Sequence, residues 1–212
     1  MQKIFKTIDE QVDILRDKGL IIEDKFQASE ILLRENYFFL SGYRHPFLVN
    51  PRSKKFKEGT KFRELYALFN FDRQLRNIIF KNLLIIENNL KSIFSYELSK
   101  NYGFKEKDYL KSSNFNTSSE KARQVNDLLR KIKRQIRVNG GQHSATTHYI
   151  YNYGYVPLWV VVKVLSFGIV CELYSIMKTD DQNSIAELFN LSVVDLLCFL
   201  PILANYRNLC AH

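Results

Sequence analysis

The sequence predicts an all-α protein, a helical bundle with long core helices and a small helical appendage at its N-terminus. Only eight glycines and four prolines interrupt 212 residues. Long segments carry apolar residues every three or four positions, the helical period. A chain with 46% apolar and 25% charged residues is globular rather than disordered. We expect residues 1–50 to form an N-terminal helical segment packed on the bundle, residues 51–212 to form the main helical domain, and few or no strands.

The N-terminal segment begins with a predicted capping box, in which Thr7 is followed three residues later by Glu10. Apolar residues at helical spacing then run to Gly19, which ends the first helix. A second helix is expected over residues 26–35. The aromatic-rich stretch 36–47 has two interpretations, packing in a core or interface and stacking on nucleic-acid bases, of which packing is the more common.

A basic polar loop follows at residues 50–61. It carries Arg52, Lys54 and Lys55. Either this loop is merely solvated, or its charges contact a phosphate backbone.

From Thr60 toward Gly103 the chain shows its longest helical pattern, either one helix or two with a kink. Glu87 lies about 50° from the centre of its apolar stripe on an ideal helix, so we expect it to be at least half buried. A buried carboxylate needs a cationic or hydrogen-bonding partner. Lys91, one turn later, and Arg207, far along the chain, are both candidates.

After a polar connection at residues 105–119, helical spacing returns in the most basic segment of the chain. Its charges form a solvated helix face or a surface that contacts RNA. The residues concerned are Lys121, Arg123, Arg130, Lys131, Lys133, Arg134 and Arg137.

No metal or other cofactor is expected. His143 and His148 are not at helical metal-ligand spacing, and the three cysteines show no CxxC pattern. Cysteines of this kind fit a reducing cytosol, so we expect a cytoplasmic protein.

Pro157 is expected to begin a buried helix that includes Trp159, within an apolar region over residues 156–177. Lys163 and Glu172 interrupt this region, so we do not expect it to span a membrane. Ser192 and Asp195 predict a cap for the last apolar stretch, in which Pro201 produces a kink or starts a new helix.

The last residues hold the candidate catalytic group of Arg207, Asn208 and His212. An imidazole moves protons near neutrality, and a guanidinium holds a phosphate through two hydrogen bonds. A formal net charge of +9 favours a polyanionic partner. The spacing alone is weak evidence, because Arg137 and His143 nearly reproduce it across Gly140 and Gly141, which leave their geometry unspecified.

Several blocks together resemble a known family more specifically. They are TIDEQVDILRDKGLII, YFFLSGYRHPF, LYALFNFDRQLRNIIFKNLLIIENNLKS, YGYVPLWVVVKVLSFG and YRNLCAH, in this order along the chain. In these blocks the sequence resembles the Abi-like abortive-infection proteins of bacteria, a family placed among the HEPN domains.

The resemblance implies a HEPN-like helical bundle and metal-independent RNA cleavage by an Arg-polar-x-x-x-His motif. Arg207 would bind phosphate, Asn208 would position groups and His212 would act as acid and base, with Glu87 a weaker addition to the catalytic set. It also implies a homodimer, which we expect because Arg207 and His212 are about 140° apart on an ideal helix. A toxin-type protein of this kind could have an RNA or protein antitoxin as partner.

Two alternatives to a nuclease remain open from the sequence. One is a non-catalytic RNA- or protein-binding module of a defence or toxin-antitoxin system. The other is a membrane-directed toxin that uses residues 156–177, which their two charges disfavour.

Overall fold

The computed structural model describes residues 4–211 and confirms the all-α class. Within these residues it has no β-strand, only isolated bridges. Contacts divide the chain into two compact units, one ending at Asn77 and the other beginning at Ile78. This boundary lies inside a helix, whereas the sequence predicts an N-terminal segment that ends at residue 50. The α-helices are α1 Ile8–Asp17, α2 Lys25–Glu35, α3 Tyr37–Gly42, α4 Phe62–Tyr102, α5 Glu106–Tyr109, α6 Ala122–Asn139, α7 Ser144–Tyr153, α8 Leu158–Val164, α9 Phe167–Ile176, α10 Thr179–Glu187 and α11 Val193–Ala211.

The first unit has its own apolar core, built from α1, α2, α3 and the beginning of α4. The predicted capping box of α1 is present: Thr7 Oγ1 accepts from the Glu10 backbone N–H, and Glu10 Oε2 accepts from the Thr7 N–H. Asp24 caps α2 by accepting from the Gln27 backbone N–H. These caps satisfy N–H groups that the first turn of a helix leaves without partners.

Helix α4 is a single helix of 41 residues, which decides between the two arrangements that the sequence allowed. It begins in the first unit and ends in the second. At 1.5 Å per residue its length is about 60 Å. Leu65 belongs to the core of the first unit, and Leu90, Phe94 and Leu98 belong to the core of the second.

The second unit is built around a larger core to which α4, α6, α8, α9 and α11 contribute. The apolar face predicted for α6 is correct, because Val125, Leu128, Leu129, Ile132 and Ile136 are all buried. The remaining face of α6 carries the basic residues.

The apolar region after Pro157 forms two helices, α8 and α9, rather than one. The helical backbone is interrupted before Ser166, whose hydroxyl accepts from the Ile169 backbone N–H and so caps the N-terminus of α9. The predicted burial of Trp159 is wrong: this side chain is 46% exposed, although its neighbours Leu158 and Val160 are buried. A continuously apolar run does not reveal which of its faces points outward.

Helix α11 is also continuous and contains Pro201 in its interior. Its N-terminus carries the predicted cap, with Ser192 Oγ accepting from the Asp195 backbone N–H. Of the described helices, α11 alone is long and apolar enough to cross a membrane by length and composition, and 17% of that stretch is buried. Core helices of soluble proteins meet the same criterion, but most of their residues are buried.

Candidate functional site

The candidate site lies where α4 meets α11 in the second unit, and Glu87 is at its centre. Glu87 is 5% exposed, which confirms that it is buried. The sequence offered Lys91 or Arg207 as its partner, and the structure provides both. Lys91 Nζ donates to Glu87 Oε1 at 2.7 Å, and Arg207 Nε donates to Oε2 at 3.1 Å. Two cations thus compensate one buried carboxylate.

Arg207 is held along one edge only. Besides the bond to Glu87, its guanidinium carbon lies 5.7 Å from the ring centroid of Phe80, within reach of a cation–π interaction. Its side chain is 30% exposed. Within residues 4–211, its two terminal nitrogens have no hydrogen-bond partner. A planar guanidinium held in this way keeps a donor edge with which it can bind a phosphate.

Cys171 on α9 lies close enough to the carboxylate for the two groups to interact electrostatically. Burial raises the pKa of the thiol, and the negative charge of Glu87 raises it further, to about 12. Cys171 Sγ donates to the Leu200 carbonyl at 3.3 Å. This thiol therefore stays neutral near physiological pH and is a packing group rather than a nucleophile.

The remaining members of the predicted catalytic group are only partly described. Asn208 is exposed and follows Arg207 on α11. His212 lies outside the described residues. The structure therefore describes the positions of Arg207, Asn208 and Glu87, and the acid-base role of His212 stays a prediction.

The predicted RNA-binding residues of this segment lie on α6 or, for Lys121, at its N-cap, and Lys133 lines a different hollow from the one described next. With Glu120, Asp127 and Glu172, several of them line an open hollow of about 670 Å³. Arg130 pairs with Asp127, and Lys131 Nζ lies 3.1 Å from Glu172 Oε2. No hydrogen bond or ion pair within the described range joins the basic residues of α6 to Glu87 or Arg207. The predicted residues of this segment are Lys121, Arg123, Arg130, Lys131, Lys133, Arg134 and Arg137.

The other predicted RNA-binding residues, Arg52, Lys54 and Lys55, are exposed and lie in the first unit. The Asn50 side chain accepts hydrogen bonds from the backbone N–H groups of Arg52 and Ser53, which shapes the turn. These hydrogen bonds hold the turn that carries the three basic residues.

Between residues 4 and 211, no group of three or more histidine, cysteine, aspartate or glutamate side chains is arranged to hold a metal ion. His148 instead has its Nδ1 3.1 Å from the Asn152 amide nitrogen.

Comparison with known proteins decides the family. A protein-family model described as Abi-like protein matches residues 30–212, most of the chain. The chain belongs to the Abi-like family. This places it among proteins of the abortive-infection, or defence, type. No curated protein and no solved structure matches it.

In this Abi-like protein, two residues near the candidate site were missed by reasoning from sequence. Phe80 lies seven residues before Glu87, a spacing that places both on one side of α4 and could have identified it. Trp159 was assigned to the core, and its exposure could not be read from its apolar neighbours.

Proposed function

We propose that this Abi-like protein is a metal-independent endoribonuclease with a HEPN-like site formed by Arg207, Asn208 and His212. The observation that carries the proposal is the state of Arg207. A buried carboxylate fixes one edge of its guanidinium, and the opposite edge keeps its donors. A pre-oriented cation of this kind stabilises negative charge as it develops on a phosphate.

The reaction is an internal phosphoryl transfer within RNA. The ribose 2′-oxygen forms a bond to the adjacent phosphorus, and the bond from phosphorus to the 5′-oxygen of the next nucleotide breaks. The products are a 2′,3′-cyclic phosphate and a 5′-hydroxyl. His212 accepts the proton of the 2′-hydroxyl and a proton is returned to the leaving 5′-oxygen, while Arg207 stabilises the charge on the phosphorane.

A second copy of the chain completes the site. Leu196, Leu200 and Ala204 bury one face of α11, and Arg207 points to the same side through its bond with Glu87. The opposite face exposes apolar residues along its length: Val194, Phe199, Ile202, Tyr206 and Leu209. An exposed apolar stripe of this size favours an interface. A twofold axis near the C-terminal end of α11 would bury this stripe and bring the two motifs, which lie in the last turns of the helix, to one cleft beyond the helix ends.

The dimer is tested by light scattering on the purified protein. The parent should have twice the mass of one chain, and Ile202→Glu should shift the protein to monomers and abolish cleavage. A parent that is monomeric at micromolar concentration contradicts the composite site. Association only with lipid vesicles would assign the stripe to a membrane instead.

Cleavage is tested with labelled single-stranded RNA in the presence of EDTA. Removal of one preorganised charge-stabilising donor typically lowers the rate by about 10²–10³-fold, which we expect for Arg207→Ala. His212→Ala should be at least as damaging. The matched controls Arg137→Ala and His143→Ala alter the second pair of similar spacing and should keep the parent rate at saturating RNA.

Two outcomes would reject the nuclease. Cleavage that requires an added metal ion, or that persists in both the Arg207→Ala and the His212→Ala proteins, contradicts the mechanism. Tight RNA binding without any turnover would favour a non-catalytic binding module of a defence system.

A further inference from the structure

An open groove runs between α4 and α8 in the second unit. Two hollows of about 510 and 420 Å³ share Ser92, Ser95 and Trp159 and therefore adjoin each other. We call this feature the Trp159 groove. None of its described lining residues is an aspartate or a glutamate. The other lining residues are Asn88, Lys91, Val162 and Lys163 toward one end, and Tyr96, Ser99, Lys100 and Phe104 toward the other.

The floor of the Trp159 groove is formed by small side chains of α4. Ser92, Ser95 and Ser99 are spaced by three and four residues, which places them on one face of the helix. Their short side chains leave the space that larger residues would fill. The Ser99 hydroxyl is buried and has no hydrogen-bond partner in the described part of the chain. This floor is polar but uncharged.

Two rings that line the groove, those of Trp159 and Phe104, begin a row of aromatic side chains that continues beyond it. The Trp159 and Phe104 centroids are 6.0 Å apart, and the Phe104 and Tyr155 centroids are 5.7 Å apart. Tyr153 continues the row at 6.3 Å from Tyr155. The rings of the first two pairs are tilted by 35° and 56° rather than stacked, so they do not cover each other's faces. Trp159, Phe104 and Tyr153 are all exposed.

Lysines accompany these rings. Lys163 follows Trp159 by one helical turn on α8 and is exposed. Lys105 Nζ lies 5.0 Å from the Tyr155 ring centroid and 5.9 Å from that of Phe104. Neither lysine forms an ion pair with a residue in the range 4–211. Their charges are therefore not neutralised by a neighbouring carboxylate, unlike many basic residues of α6.

The groove also reaches the candidate site through one residue. Lys91 lines the groove, and its Nζ donates to the Glu87 carboxylate that also holds Arg207. Lys91 thus joins the lining of the groove to the carboxylate that positions Arg207.

We propose that the Trp159 groove binds single-stranded RNA and leads it to Arg207. Bases stack on Trp159 and Phe104, and the phosphates are held by Lys163 and Lys105. Stacking on aromatic side chains suits single strands, because a duplex keeps its base faces inside the helix. Cleavage of this RNA rests on the proposed function, whereas its binding does not. The groove, rather than the basic face of α6, is then the main contact for RNA.

The chain offers a direct optical test, because Trp159 is its only tryptophan. Arg207→Ala protein is titrated in EDTA with a single-stranded RNA of about 12 nucleotides, a length within the site sizes of single-strand binders. Stacking should quench the tryptophan emission saturably. Fluorescence anisotropy of labelled RNA should show roughly 5- to 150-fold weaker binding for Trp159→Ala, the range expected for loss of one stacked base. Trp159→Phe should retain most of the affinity.

The controls separate this groove from other surfaces. Tyr151→Ala removes an exposed aromatic outside the row and should leave affinity unchanged. Lys163→Ala should weaken binding and reduce its salt dependence, as loss of a phosphate contact does. Arg123→Ala, on α6, should have little effect. If Arg123→Ala abolishes binding and Trp159→Ala does not, the groove proposal is wrong.

The outcomes also distinguish this proposal from the nuclease itself. If the parent protein cleaves RNA but shows neither quenching nor an effect of Trp159→Ala, the nuclease stands and the groove proposal fails. If RNA binds and quenches the tryptophan emission but the parent protein does not cleave it, the groove proposal stands and the nuclease proposal is rejected. A duplex of the same sequence that quenches as strongly as the single strand would contradict stacking.

Discussion

Replacing Glu87 by Gln removes the negative charge between two cations while keeping the size of the side chain. Lys91 depends on the negative charge of Glu87 more than Arg207 does, because the Lys91 side chain is only 12% exposed and the Arg207 side chain is 30% exposed. Once the carboxylate is neutral, the Lys91 ammonium remains in a largely buried place without an opposite charge. Arg207 can turn toward water, but it then loses the position from which it faces the site.

The expected loss of folding free energy in the Glu87→Gln protein follows from this difference in exposure. Removal of one partner of a buried ion pair costs about 3–5 kcal/mol. Because Arg207 keeps access to water, we expect the lower end for Glu87→Gln, about 3 kcal/mol. At about 2–4 °C per kcal/mol for a chain of this size, the melting temperature should fall by about 6–12 °C. Lys91→Met should cost less, because Glu87 keeps Arg207, and Glu87→Gln combined with Lys91→Met should recover at least half of the loss.

Thermal and urea unfolding followed by circular dichroism measure these effects. Glu97→Gln is the matched control: Glu97 is also a buried glutamate of α4, but its partner Lys100 is exposed. We expect this control to lose no more than about 1 kcal/mol, as is usual where the cation stays hydrated. Equal melting temperatures for the Glu87→Gln and Glu97→Gln proteins would refute the reasoning.

Four further predictions concern a helix cap, a buried hydroxyl and the cysteines. Thr7→Ala should destabilise the first unit by roughly 0.5–2 kcal/mol in urea unfolding, with Thr7→Ser close to the parent. Tyr109→Phe removes the hydroxyl that donates to the Val156 carbonyl at 2.9 Å. The carbonyl oxygen then stays buried without a partner, so the free energy of unfolding should fall by about 1–3 kcal/mol, and a loss outside this range would contradict the reasoning. The Cys171 thiol has its pKa raised from 9.0 to about 12. The native state therefore holds this proton longer than the unfolded chain, so stability should fall as pH rises from about 9 toward 12, less so in Cys171→Ala. Near neutral pH a thiol reagent should modify the exposed Cys198 and spare Cys171.

The sequence predicted best where a pattern is local. The apolar face of α6 repeats every three or four residues, and it is buried as expected. The capping box at Thr7 and the cap at Ser192 depend on residues three positions apart, and both are formed. The break between α8 and α9 was missed because the apolar run hides it, although Ser166 is a residue type that commonly caps helices.

The candidate site shows where local reasoning stops. Burial of Glu87 followed from its place on α4, but Arg207 is 120 residues away along the chain. No helical spacing indicates which distant helix will pack against a given turn. The exposure of Trp159 was unpredictable for the same reason: it depends on which side of α8 the rest of the fold covers.

Because α4 belongs to both units, it limits where the chain can be cut into separate fragments. The boundary at Asn77 and Ile78 has no loop, so a cut there would expose backbone N–H groups in the middle of a helix. Exchange of gene segments at this point would leave both products with a frayed end. The match to the Abi-like family covers residues 30–212 and therefore includes this boundary. A fragment intended to fold as the second unit should therefore begin near Phe62, where the helix has its natural start.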